Sequence, residues 1–139
     1  MCGITGMLGN PDPGIVQSMM SYLTHRGPDG SGVWSDEEVA LGHNRLAIVD
    51  LAGGSQPLIS DDGVILIANG EIYNHKAINS KTQYNYKTSS DSEAIIALYN
   101  QHKITNGSLD AVGQSTWISK LDGMFAFAIW DPANKILTL

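Results

Sequence analysis

The chain contains one cysteine, and it is the second residue. Removal of Met1, which a small side chain at position 2 should permit, would make Cys2 the amino terminus. One residue would then carry a thiol and a free α-amine, and an N-terminal amine is a known activating base for a nucleophile. Free α-amines titrate near neutral pH, so part of the population can accept a proton. Cys2 is therefore a candidate nucleophile with its own base; the alternative is a small buried hydrophobic side chain.

Asn69 and Gly70 follow a strand-like run and could stabilise negative charge. A side-chain amide N–H and a backbone N–H beside a glycine can hold the developing oxygen of a tetrahedral intermediate. One such donor lowers the barrier by roughly 3–4 kcal/mol. Asn-Gly is also the strongest short hairpin signal, so the sequence leaves an oxyanion hole and a turn as alternatives.

Three charged residues could recognise an amino acid. The Arg45 guanidinium can fork onto a carboxylate through two parallel hydrogen bonds; the alternative is an ordinary edge-strand charge. Asp91 could receive a substrate ammonium, or it could simply be an acidic residue in the first turn of a helix, stabilised by the helix dipole. Glu71 carries the same ambiguity.

Other polar residues are less informative. The loop His25–Gly32 is dense in glycine and charge, and its simplest explanation is a turn in which Arg26 and Asp29 pair with each other. The four histidines lack metal-binding spacing, and the phosphate-binding P-loop motif is missing from the sequence. We therefore expect neither a metal site nor a nucleotide loop in this chain.

Several elements are predicted in the first half of the chain. Ile4–Leu8 predicts a strand, and Val39–His43 and Leu46–Val49 predict two more, the second more strongly. A helix is predicted by apolar residues at helical spacing, namely Ile15, Met19, Tyr22 and Leu23. Gly27-Pro28 ends this pattern. These elements would place Cys2 and Arg45 beside strand ends.

In the second half, Asp61-Asp62-Gly63 predicts a hairpin between two apolar runs. Lys76–Lys87 indicates a polar surface connection. Ser90-Asp91-Ser92-Glu93 has the spacing of a capping box that opens a helix to about His102. Met124–Trp130 is wholly apolar and predicts a fully buried strand, which a turn then joins to the last residues. Weaker signals predict a turn at 106–107 and a short helix over 116–121.

Strands with helices packed against them predict an α+β fold, with a layered αββα arrangement as the specific form. A length of 139 residues indicates a single domain, and a net charge of −6 argues against binding nucleic acid or an anionic membrane surface. One cysteine excludes an intrachain disulfide and fits a reducing compartment. Without a leader pattern or an apolar run of about 20 residues, we expect a cytoplasmic protein that does not associate with membranes.

Taken together, these stretches resemble the class II glutamine amidotransferases, whose glutaminase domain is an N-terminal nucleophile hydrolase. The resemblance spans nearly the whole chain and looks most like the glutamine-hydrolysing asparagine synthetase branch. It rests on these segments in this order: Met1–Ile4, His25–Gly32, Leu41–Leu46, Gln56–Leu58, Asn69–His75, Ser90–Glu93 and Leu121–Phe127.

The resemblance implies a role for each candidate residue. Cys2, after loss of Met1, would attack the side-chain amide of glutamine, and Asn69 with the Gly70 N–H would hold the oxyanion. Three residues would bind the substrate's charged groups, namely Arg45 at the α-carboxylate and Glu71 and Asp91 at the α-ammonium. Leu46 and Ile48 would line the pocket, and the loop Asp50–Gln56 could close over the substrate. A thioester would form, ammonia would leave, and water would release glutamate.

The resemblance also implies that residues 1–139 form a glutaminase domain that is incomplete, or C-terminally truncated, relative to the family. A synthetase domain or subunit would accept the ammonia and would alone need ATP and magnesium; the glutaminase step needs no cofactor. The sequence leaves a homo-oligomer open. The main alternative is a non-catalytic interaction module that keeps the fold, and a third reading is a hydrolase acting on another amide.

Overall fold

A computed structural model of the chain describes residues 1–48, 50, 53–106 and 116–139. The described ranges contain seven strands and three helices. The strands are β1 (Gly3–Leu8), β2 (Gly30–Ser35), β3 (Val39–Arg45), β4 (Leu58–Ile59), β5 (Ile65–Ile72), β6 (Gly123–Asp131) and β7 (Ile136–Thr138). The helices are α1 (Pro13–Ser21), α2 (His75–Asn79) and α3 (Glu93–Asn106).

The strands form two antiparallel sheets that pack face to face. The first sheet has the order β1-β3-β2, and the second has the order β4-β5-β6-β7. Helix α1 lies on the outer face of the first sheet, while α2 and α3 cover the outer face of the second. The layers are therefore α, β, β and α, as the sequence predicted.

The alternation of side chains along the strands builds both halves of the core. On β5, Ile65 and Ile67 face the first sheet and contact Val39 and Leu41 of β3. Their neighbour Leu66 faces the other way and packs under α3. Because successive strand side chains point to opposite faces, a strand in the middle of four layers must be apolar on both. This explains the continuous apolar run before Asn69.

Several predicted elements differ from the structure. Helix α1 ends at Ser21, well before Gly27. It buries Val16 and Met20, whereas Ile15 and Met19 of the predicted face are 49% and 39% exposed. A helical pattern with apolar residues on neighbouring positions does not say which stripe faces the sheet. Contact with Gly42, where a Cβ would lie 2.5 Å from Met20 Sδ, decides it.

Two elements were not predicted. Strand β2 lies partly in the segment interpreted as a loop, and its glycine-rich sequence Gly30-Ser31-Gly32 gave no strand signal. Helix α2 begins one residue before the predicted polar connection Lys76–Lys87, and its Ile78 packs in the core with residues of α3.

Strand β6 is fully buried only from Phe127 onward, because Met124 is 69% exposed and Ala126 is also exposed. The predicted hairpin at 61–63 and the predicted turn at 131–134 are present, the latter shifted to 132–135, and residues 116–118 form a helical turn. Of the predicted turn at 106–107, Gly107 lies outside the described residues. Among the described residues, no helix is both long and apolar enough to cross a membrane.

Candidate functional site

A cleft lies where β1 begins, β3 ends and β5 ends. All eight residues that the sequence singled out line it: Cys2, Arg45, Leu46, Ile48, Asn69, Gly70, Glu71 and Asp91. The strand registers explain part of this. Gly3 pairs with Asn44, so the next position of each chain sets Cys2 opposite Arg45. The first sheet therefore brings together residues 43 positions apart.

The Cys2 thiol is half-buried and has a specific donor. The Leu46 N–H donates to Cys2 Sγ at 3.3 Å. The thiol in turn donates to the Leu46 carbonyl oxygen, which lies 3.7 Å from Sγ. The Cys2 carbonyl accepts from Arg26 Nε at 3.0 Å, which fixes the chain start. Arg26 therefore bonds to Cys2, and the predicted Arg26–Asp29 pair is wrong.

The predicted strand over 46–49 is wrong for the described residues 46–48, which form an irregular segment beyond the end of β3. Their N–H groups bond to side chains instead of to a neighbouring strand. Leu46 N–H is taken by Cys2 Sγ, and Ala47 N–H is taken by Asp29 Oδ2 at 2.8 Å. The side chains of Leu46 and Ile48 line the cleft instead of a core. Their apolar character is what made this segment look like a strand in the sequence.

Arg45 ends β3, which is the central strand of its sheet, so the edge-strand alternative is wrong. Its Nη2 donates to the Asp50 carbonyl oxygen. The Asp50 carboxylate in turn accepts the Gly53 N–H at 2.9 Å and the Ser89 N–H at 2.8 Å. Asp50 therefore ties the loop that follows Arg45 to the segment that leads to Asp91.

The end of β5 presents alternate N–H groups to the cleft side. The Ala68 N–H donates to Gln56 Oε1 at 2.6 Å, and the Ile72 N–H donates to Asp91 Oδ2 at 2.6 Å. In a strand, the N–H groups of residues two apart point to the same edge. The N–H of Gly70, halfway between, is therefore directed to the same edge. Strand β4 covers this edge only opposite Leu66 and Ile65, so Gly70 faces the cleft.

Asn69 and Gly70 lie inside β5, opposite Ala126 and Phe125, so the hairpin-turn alternative is wrong. Gly70 has a φ of 144°, a conformation that favours glycine. A Cβ at this position would lie 2.0 Å from the Met124 carbonyl oxygen. The glycine is needed for close packing of β6, and it leaves the cleft side of the backbone open.

The side chains around this edge are polar and differ in exposure. Asn69 lines the cleft, and its Oδ1 is buried without a hydrogen-bond partner among the described residues. Asp91 is buried at 5% exposure and lies two residues before α3, not in its first turn. Glu71 is exposed at the rim. Two carboxylates, one guanidinium and one amide thus surround the space beside Cys2.

The capping-box prediction is wrong in its bonding. The Glu93 carboxylate accepts the N–H groups of Lys87 and Thr88, at 2.8 and 2.9 Å, and the Thr88 hydroxyl. The Ser90 N–H donates to Thr88 Oγ1. Glu93 therefore folds the preceding segment onto the helix start, which turns Ser90, Asp91 and Ser92 toward the cleft.

Seven further residues line the cleft wall: Met1, Gly54, Gln56, Ala68, Ser90, Ser92 and Met124. From sequence, Gly54 and Gln56 were placed only in the loop that could close over the substrate, and the other five were given no substrate contact. Gln56 belongs to a motif of the resemblance, and the serines belong to the predicted capping box. The sequence therefore drew attention to these residues but did not predict that they line the cleft. Among the described residues, no group of three His, Cys, Asp or Glu side chains is arranged to hold a metal ion.

The fold is that of the N-terminal nucleophile glutamine amidotransferases. A solved glutamine phosphoribosylpyrophosphate amidotransferase from B. subtilis superposes with a TM-score of 0.73 at 23% identity, over 93% of this chain and 35% of that one. A second solved structure, described as an allosteric regulatory enzyme of purine biosynthesis, gives 0.72 at the same identity. At this identity the likeness concerns the fold.

The sequence narrows the class. Residues 1–139 match the model of the glutamine amidotransferase domain family, and the chain belongs to that family. It is 40% identical over 97% of its length to asparagine synthetase [glutamine-hydrolyzing] 3 of Arabidopsis thaliana. It is 35% identical over 99% of its length to asparagine synthetase [glutamine-hydrolyzing] 1 of Bacillus subtilis. The chain spans 23% and 22% of the length of these two relatives.

Proposed function

We propose that this domain hydrolyses glutamine to glutamate and ammonia through a thioester on Cys2, and that an asparagine synthetase-like domain or subunit receives the ammonia. The observation that carries the proposal is one cleft lined by the Cys2 thiol, the Arg45 guanidinium, the Asn69–Gly70 edge and two carboxylates. A zwitterionic amino acid with a side-chain amide matches this set of groups.

The substrate's charged end is bound by the walls of the cleft. Arg45, whose Nη2 is oriented by the Asp50 carbonyl, clamps the α-carboxylate. Asp91 and Glu71 receive the α-ammonium, and the apolar parts of Leu46 and Ile48 contact the methylene groups. This placement directs the amide carbon of glutamine toward Cys2.

The chemistry then proceeds in two steps. After Met1 is removed, the Cys2 α-amine takes the thiol proton, and the sulfur attacks the amide carbon. The resulting oxyanion is held by the Gly70 N–H and by the Nδ2 of the Asn69 side-chain amide, and both residues line the cleft. The protonated amine gives its proton to the leaving ammonia, and a thioester remains. Water attacks the thioester, glutamate leaves, and the thiol is restored.

The glutaminase step uses no cofactor in this scheme, since the amine, the thiol and the oxyanion donors supply every proton and charge contact. Residues 1–139 act as the glutaminase domain, and the acceptor domain or subunit carries the ATP- and magnesium-dependent chemistry. The single cysteine supports a reducing, cytoplasmic setting.

The test begins with intact-mass spectrometry of the purified protein, because a retained Met1 blocks the base. We expect loss of Met1 and release of glutamate from glutamine, and we expect Cys2→Ala to abolish that release while the protein stays folded. Arg45→Ala should raise KM for glutamine strongly. A folded, processed protein without activity would contradict the proposal and favour the non-catalytic module. Activity that is insensitive to Arg45→Ala would favour another amide substrate.

A further inference from the structure

On the edge of β5 that faces away from β6, the backbone just before the Asn69–Gly70 pair is held by two side chains instead of a neighbouring strand. Strand β4 pairs Leu58 with Leu66 and Ile59 with Ile65. Continuing this register would set the Gln56 backbone opposite Ala68. At Gln56 the chain is no longer part of the sheet, so its side chain forms the hydrogen bond instead of its backbone. Gln56 Oε1 accepts the Ala68 N–H at 2.6 Å.

The other polar atom of Ala68 on this edge is also bound by a side chain. The Ala68 carbonyl lies 3.0 Å from His43 Nε2. A carbonyl can only accept, so the ring must carry its proton on Nε2. Burial, opposed by this hydrogen bond and helped by the nearby Arg45 charge, lowers the pKa of His43 to about 4. His43 is therefore a neutral donor at physiological pH, and it joins β3 of one sheet to β5 of the other.

The His43 side chain and the Gln56 main chain are both closely packed. His43 is 1% exposed. The Gln56 main chain is pressed against β2, since a Cβ on Gly32 would lie 2.2 Å from the Gln56 carbonyl oxygen. Two side chains that bind the N–H and the C=O of one residue restrict the position of the next two residues along the strand.

We propose that Gln56 and His43 are positioning residues for the oxyanion hole: by holding Ala68 they set where the Asn69 amide and the Gly70 N–H meet the substrate oxygen. The inference rests on the proposed glutaminase function. It adds two residues that would act on the transition state without touching the substrate's charged groups. Small errors of donor placement are costly, since a displacement of about 1 Å can reduce rate about 100-fold.

The primary test replaces the acceptor with an apolar side chain of similar length, Gln56→Met, in protein that has lost Met1. We expect kcat for glutamine hydrolysis to fall about 10–100-fold with KM little changed, because Arg45, Glu71 and Asp91 are intact. Inhibition by the aldehyde analogue of glutamate, whose thiol adduct places an oxygen in the oxyanion hole, should weaken by a similar factor. Alkylation of Cys2 by iodoacetamide should keep its rate.

A matched control and a conservative rescue separate positioning from folding. Gln17→Met, on the exposed face of α1, should leave all three readouts unchanged. His43→Leu removes the donor, whereas His43→Gln keeps an N–H and should recover most of the kcat lost in His43→Leu. Thermal unfolding accompanies each variant, and if Gln56→Met does not fold, the two His43 variants decide the question.

The outcomes are distinguishable. An active wild type with unchanged kcat and unchanged aldehyde affinity in Gln56→Met overturns the positioning role alone. A raised KM with unchanged kcat also overturns it, because Gln56 would then be a substrate contact. A processed, folded wild type that does not hydrolyse glutamine overturns both this inference and the proposed function.

Discussion

Two buried polar regions of this molecule are built on opposite plans. At the end of β6, the Asp131 carboxylate is 1% exposed and accepts from Tyr99 Oη, Lys103 Nζ and Asn134 Nδ2 at 3.0, 3.2 and 2.8 Å. It also caps the turn to β7 through the Ala133 and Asn134 N–H groups. Every bond joins parts of the chain itself, so this region serves the fold.

The cleft keeps a polar atom without a protein partner. Asn69 Oδ1 is buried there and lacks a hydrogen-bond partner within the described part of the chain. An unpaired buried polar atom costs roughly 1–3 kcal/mol. The chain satisfies the Asp131 carboxylate with its own groups, whereas Asn69 Oδ1 has no protein partner, as expected for a residue proposed to bind a ligand.

The largest expected contrast comes from Asp131→Leu. Burial opposes the charge of this group, but the bonds from Asn134 and Lys103 lower the pKa of Asp131, so it is ionised at neutral pH. Removing it leaves Tyr99, Lys103 and the turn without their acceptor, and we expect a loss of about 3–5 kcal/mol in the free energy of unfolding. Urea titration measures this loss. The kcat per folded molecule should not change. A loss of kcat without a loss of stability would contradict the assignment of Asp131 to the fold.

Asn69→Ala should show the reverse pattern. It removes one proposed oxyanion donor and one unpaired buried oxygen together. We expect kcat to fall about 10²–10³-fold, which corresponds to about 3–4 kcal/mol of barrier, while the free energy of unfolding stays within about 1 kcal/mol of wild type. Steady-state kinetics and urea titration on the same sample test both halves. A marked loss of stability would show that Asn69 serves the fold after all.

The pH dependence of stability sharpens the comparison further. The pKa of His43 is lowered by burial to about 4 in the folded protein, from an ordinary value of 6.5. The unfolded chain therefore binds a proton that the folded protein refuses between these values. Stability is complete above pH 6.5 and declines as pH falls toward 4, by at most about 3 kcal/mol. His43→Gln should show a shallower decline in urea titrations at pH 4 to 7; superimposable profiles would contradict the prediction.

The smallest expected effect lies outside both regions. Asp12 caps α1, with its Oδ1 accepting the Gly14 N–H at 2.8 Å. Asp12→Ala should cost about 1 kcal/mol in unfolding free energy and leave glutamine hydrolysis unchanged. A larger change in kcat than in stability would mean that α1 is coupled to the cleft. That result would contradict the separation between a region that serves the fold and a region that serves activity.

The layered α+β class, the hairpins, the apolar core strands and the set of candidate site residues could all be predicted from the sequence. The core strands were visible because a strand between layers must be apolar on both faces. The site residues were visible because few residue types can act as nucleophile, charge clamp or oxyanion donor, and these types occur in a recognisable order. Strand β2 was not visible, since glycine has low strand propensity and Gly32 is required by its close contact with the Gln56 carbonyl oxygen.

What the sequence determined by itself was local chemistry: one thiol beside a future α-amine, charges of both signs, and the alternation that sets the layers. Only the tertiary structure decided how those groups are used. It placed Asn69-Gly70 within a strand rather than in a turn. It made the Glu93 carboxylate accept a hydrogen bond from the segment before it, and it paired the backbone N–H and C=O of Ala68 with the side chains of Gln56 and His43. Such choices depend on which distant N–H or C=O lacks a partner after the sheets have formed, and no local pattern carries that information.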